Sequence, residues 1–112
     1  MSTPLQLALM ILAAVFEVGG DALIRRGLNA GGVALIFGGF VVLGTYGILV
    51  NLVRLDFSRL LGAYVGWFAL VSVALGRIVF GDRIVPSTWL GLAMILAGSL
   101  VIQIGPGLLP SK

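Results

Sequence analysis

Cysteine and histidine are both absent from the 112-residue sequence. Without them, disulfide frameworks, the usual zinc and haem ligand sets, cysteine nucleophiles and Ser-His-Asp triads are excluded. Charge is scarce as well: 10% of the residues are Asp, Glu, Lys or Arg, against about 25% in an average soluble domain. An ordinary water-facing surface cannot be built from so few. The pI of about 10.2 rests on seven Lys and Arg against four Asp and Glu. These are scattered singly or in pairs with no basic stripe, which disfavours nucleic-acid binding. No nucleophile with its base, no metal-ligand cluster and no phosphate-binding loop stands out. The chain is expected to be neither an enzyme nor the holder of a cofactor or metal.

What is present is apolar. Hydrophobic residues make up 60% of the chain and the mean hydropathy is +1.19, so the expected solvent is lipid. A bilayer core of about 30 Å takes about 20 apolar residues at helical rise, and four runs of that length stand between charged punctuation marks. The first covers residues 4–24, opening on Ser2-Thr3-Pro4 as an N-cap and first-turn proline and stopping at Arg25-Arg26-Gly27. The second covers 31–53, is rich in glycine (Gly38, Gly39, Gly44, Gly47), and ends at Arg54, Asp56 and Arg59. The third covers 60–80, carries Arg77 near its end and stops at Gly81-Asp82-Arg83, with Pro86 marking the turn. The fourth covers 87–108, with Ser87 or Thr88 as N-cap, and closes at Gly105-Pro106-Gly107 and Pro110 before Lys112. The reading is an all-α integral membrane protein, one domain over 1–112, of four transmembrane helices with short loops. The first run lacks the charged start and cleavage site of a signal peptide and is expected to be retained.

Arginine and lysine near span ends set orientation. Arg54, Arg59 and Lys112 fall on the side of the termini; Arg25, Arg26, Arg77 and Arg83 fall on the other. Three against four leaves two readings open: one orientation with weak bias, or insertion both ways. Four helices are too few to enclose a solvated path, so oligomerisation is expected. Small residues at four-residue spacing let helices approach closely in lipid. Gly62 and Gly66 form such a pair, and Gly91 and Gly98 share a face seven residues apart; each pair serves either packing within the chain or contact with a second copy.

Ionisable groups inside a span are costly and need a reason. Glu17 lies deep in the first run, where low dielectric penalises its ionised form. Such a carboxyl binds a proton or a cation but not both; the alternative is a neutral structural hydrogen bond to a neighbouring helix. Asp21 follows one helical turn later, about 6 Å nearer the membrane surface. It is either an i, i+4 partner of Arg25 or the partner of Arg77, which sits at a similar depth. Tyr64 and Trp67 in the third run offer aromatic faces that attract cations, or simple packing. Trp89 reads as an interfacial anchor, and Tyr46 as an anchor or a packing residue.

The ordered set Phe16-Glu17-Val18-Gly19-Gly20, Ala63-Tyr64-Val65-Gly66-Trp67, Phe80-Gly81-Asp82-Arg83-Ile84 and Gly91 through Gly98 resembles the small multidrug resistance superfamily over nearly the whole chain. The spacing from Trp67 to Gly81, with Arg77 and Thr88-Trp89-Leu90-Gly91, is closer to its YnfA-like branch. The resemblance implies a proton-coupled antiporter of the bacterial inner membrane, exporting small organic or drug-like cations, built as an antiparallel homodimer of dual topology. It implies that Glu17 is the shared proton and substrate site, Tyr64 and Trp67 are pocket walls, and Gly91 and Gly98 are dimer contacts. Asp21 departs from the pattern, standing where typical multidrug members look to have a small hydroxyl residue. Two other functions fit the same composition: a carrier for lipid-linked sugars or small metabolites, and a non-transporting accessory membrane subunit.

Overall fold

The computed structural model describes residues 2–107 and 109; Leu108, Pro110 and Lys112, expected at the end of the fourth span and beyond it, lie outside the described residues. Among the described residues the chain is helical and has no strand. Helix α1 covers Thr3–Ala30, α2 Val33–Asn51, α3 Phe57–Val79 and α4 Pro86–Ile104, and a 3-10 turn follows over Gly105–Gly107. All four α-helices are long and apolar enough to cross a membrane. The chain divides into two compact units, Met1–Val53 and Arg54–Lys112, and each is a helical hairpin.

In the first hairpin, Ser2 caps α1 by accepting from the Leu5 N–H at 3.3 Å, as the sequence suggests. Arg25, Arg26 and Gly27, expected to end the helix, instead lie inside it. Arginine is a good helix former, so these charges end the apolar stretch without interrupting the backbone ladder. The helix stops at Gly31, whose φ of +71° is open to glycine at little cost. There the Gly32 N–H reaches back to the Gly27 carbonyl at 2.8 Å, the bond of a Schellman cap. Gly31 and Gly32 are therefore consumed by the turn, and α2 begins at Val33 rather than at residue 31.

Beyond the turn the two helices meet through glycine. A Cβ on Gly39 would lie 2.7 Å from the Gly20 carbonyl oxygen and 2.5 Å from Ile24 Cγ1, and one on Gly20 would lie 2.8 Å from Leu43 Cγ. Likewise a Cβ on Gly27 would lie 2.7 Å from Ile36 Cγ1. The pairs Gly27 with Ile36, Ile24 with Gly39, and Gly20 with Leu43 are each equidistant in sequence from the Gly31-Gly32 turn. Helices of equal rise therefore run in a fixed antiparallel register.

The second hairpin uses a different device. Gly62 and Gly66 pack inside the chain against α4: an added Cβ would lie 2.7 Å from Ile102 Cδ1 at Gly62 and 2.6 Å from Ser99 Oγ at Gly66. Buried Ser99 donates to the Ala63 carbonyl, lies 3.2 Å from the Gly62 carbonyl, and accepts from the Gly66 N–H at 3.2 Å. At the open end, the Arg59 guanidinium donates to the Gln103 carbonyl at 2.7 Å, placing a cation at the C-terminus of α4 where the helix dipole favours it.

Helix α3 begins three residues before the expected Leu60, because the Asp56 carbonyl already accepts the Leu60 N–H at 2.7 Å. Nor is Ser87 or Thr88 the cap of α4: Val85 is, with Pro86 as the first helical residue rather than part of the turn. Proline's fixed φ and missing N–H suit that position, and the Val85 carbonyl accepts from Thr88 and Trp89 at 3.0 and 3.3 Å. Outward surfaces are apolar, with Val41 71% and Ile78 78% exposed, as lipid-facing helices require.

Gly39→Ala should lower the stability of the purified protein by about 1–3 kcal/mol through overpacking. Gly38→Ala, where an added Cβ meets nothing within 4 Å, should leave it unchanged; circular-dichroism melts in detergent compare them. Ser99→Ala should cost about 0.6–2 kcal/mol, the range for hydrogen bonds between membrane helices, by the same measurement.

Candidate functional site

Glu17 stands at the middle of α1, with fourteen helical residues before it and thirteen after. It is partly buried, and its helical neighbours Ala13 and Ala14 are fully buried. One turn further on comes Gly20, where α2 approaches most closely. Carrying the hairpin register one turn past Gly20 and Leu43 sets Glu17 opposite Tyr46. The structure thus brings together a carboxyl and a phenol that the sequence reading kept apart. The missed signal was the Gly-Gly turn: once it is located, the equal-distance rule pairs Glu17 with Tyr46.

Asp21 is exposed, as are Arg25 and Arg26. It shares the stripe of Glu17 but not its surroundings.

In the second hairpin, Tyr64 is buried and its ring lies 6.5 Å from that of Phe68, tilted by 38°. Trp67, partly buried, lines an apolar groove of about 190 Å³ with Gly66, Leu70, Leu96, Ser99, Leu100 and Gln103. Tyr64 and Trp67 are thus carried by neighbouring turns of one helix, with different environments.

Arg77 is found with Asp82, Arg83 and Trp89 around a larger cleft, about 530 Å³, at the α3–α4 turn. That turn is shaped by Gly81, with φ +67°, and by the Asp82 N–H donating to the Gly76 carbonyl at 3.0 Å. Sequence reasoning matched Arg77 in depth with Asp21 and read Trp89 separately as an interfacial anchor; it did not join Arg77 to Trp89, since the fold of the turn decides the contact. Gly91 is partly exposed and Gly98 exposed, and a Cβ on either would meet nothing within 4 Å. Neither glycine is needed for packing inside its hairpin, unlike Gly62 and Gly66.

Residues 5–107 match the family model described as "Uncharacterised BCR, YnfA/UPF0060 family". A UPF0060 membrane protein of Streptomyces avermitilis is 38% identical over 103 residues, covering 88% of this chain and 90% of that protein. Those of Saccharopolyspora erythraea and Nocardia farcinica are 37% and 38% identical, covering 88% and 89% of this chain and 91% and 92% of theirs. No solved structure matches the chain. With four helices able to span a membrane and a family match over nearly its whole length, the chain is a membrane protein belonging to the YnfA/UPF0060 family.

Proposed function

We propose that the protein is a proton-coupled antiporter that exports small organic cations, with Glu17 as the group that binds proton and substrate in turn. The observation that carries this reading is a carboxyl at the midpoint of a 28-residue apolar helix, partly buried and set opposite a phenol by the register of the hairpin. Ionised, it attracts a cation; protonated, it does not, and one group cannot do both at once. Mutual exclusion is the whole of the coupling. A proton arriving from one side displaces the cation, and the next cation displaces the proton on the other. Trp67, which borders an apolar groove of the second hairpin, offers an aromatic face suited to an organic cation.

The working unit is proposed to be an antiparallel homodimer in the bacterial inner membrane. Its support is the near-even division of arginine and lysine between the two ends of the spans and the open glycine face of α4 at Gly91 and Gly98. Small residues left unused within a chain suit close contact with another helix in lipid.

The direct test is proton release from weakly buffered purified protein on adding cations from guanidinium to quaternary aromatic ammonium. Wild type should release protons as cation binds, and Glu17→Gln should release none and bind the same cations about tenfold or more weakly, having lost a charge-assisted contact. Release that persists in Glu17→Gln, or no release from wild type with any of these cations, overturns the assignment.

Gly98→Leu should raise the dissociation constant of the dimer about tenfold or more, read by dilution in detergent micelles, while leaving the helical melt of the chain unchanged. An unaltered monomer–dimer balance would remove Gly98 from the interface.

A further inference from the structure

The cleft at the α3–α4 turn is not used by the proposed transport reaction, and its chemistry points elsewhere. Arg77, near the end of α3, and Arg83, in the turn, both line it and both are exposed. Among the described residues neither guanidinium has a hydrogen-bond or ion-pair partner. One acid shares the cleft: the Asp82 carboxylate lies against α3, with Oδ2 only 2.6 Å from where a Cβ on Gly76 would be. That places Asp82 on the α3 backbone and leaves two cations facing one acid. Beside them are apolar walls, Val73, the highly exposed Ile78, and Trp89, 55% exposed in the first turn of α4. Helix α4 begins there with no side-chain cap on its N-terminus, which adds partial positive charge.

We propose that this cleft holds the phosphate of an anionic phospholipid headgroup. Arginine presents its N–H donors as a rigid fork that matches phosphate oxygens. An indole at a helix start sits naturally at headgroup level, and the apolar wall continues into the region of the acyl chains. Inorganic phosphate shares the first contact but has nothing to place against Ile78 and Trp89.

The test uses the full chain with Trp67→Phe, so that Trp89 is the sole indole, in vesicles carrying brominated phosphatidylglycerol or brominated phosphatidylcholine. Trp89 fluorescence should be half-quenched at an about fivefold lower mole fraction of the anionic lipid, the selectivity expected from about one net arginine near a membrane surface. Arg77→Gln combined with Arg83→Gln should abolish that preference, while Arg54→Gln, an exposed arginine outside the cleft, should keep it. Equal quenching by the two lipids overturns the proposal, as does a preference that survives the double substitution or is lost in Arg54→Gln. Inorganic phosphate added at tens of millimolar should leave the preference in place; if it erases the preference, the occupant is a free phosphate and the lipid assignment falls.

Discussion

Close approach of helix backbones is the constraint on which the rest of this structure depends. In lipid the hydrophobic effect does little to hold helices together, because acyl chains are as apolar as leucine; packing and interhelical hydrogen bonds must serve. The first hairpin meets the constraint sterically, with Gly20 and Gly39 so close that neither has room for a methyl group. The second meets it with a serine, whose hydroxyl is surrounded by backbone groups of the facing helix around Gly62 and Gly66. Both devices are local, but each sets the register of an entire hairpin. In a pair of straight helices, one fixed contact and one fixed turn leave no freedom to slide.

Register decides where the few polar groups are placed. Glu17 falls opposite Tyr46 because Gly20 falls opposite Leu43, not because either residue selects the other. Similarly, Arg59 reaches the Gln103 carbonyl because Ser99 pins α4 one turn away. A membrane interior offers no water to satisfy stray donors and acceptors, so packing that fixes the register also fixes which polar side chains have partners. Apolar contacts of α1 and α2 thereby position the carboxyl that the proposed function uses, at a distance from the turn that depends on residue count alone.

The span count and the cap at Ser2 were legible in the sequence because both follow from composition and one-turn chemistry. Helix ends elsewhere were less so. Arg25 and Arg26 announce the end of an apolar stretch, but a charged residue outside the bilayer core can stay helical, and only Gly31 stops α1. At α4 two hydroxyl residues competed with Pro86 for the start, and the proline prevailed because its ring suits the first helical position better than the interior of a turn. The GxxxG pair at Gly62 and Gly66 was visible as a close-contact motif, yet nothing in one sequence says whether the contact is made by the same chain. Ser99 escaped notice entirely: a lone serine in an apolar run has no spacing signal, and its role appears only once α3 supplies the backbone groups around it.

The arrangement of acids in α1 bears on what cation the proposed exchanger would take. Glu17 and Asp21 lie one turn apart, about 6 Å along the axis, with the first partly buried and the second exposed. Like charges one turn apart on a helix repel, and a cation that reaches both relieves the repulsion. A compact, polar cation such as a guanidinium can do this with two donors, whereas a bulky aromatic cation presents a diffuse charge to one acid at a time. On the proposed reading, the second acid therefore shifts preference towards small cations with directional N–H groups.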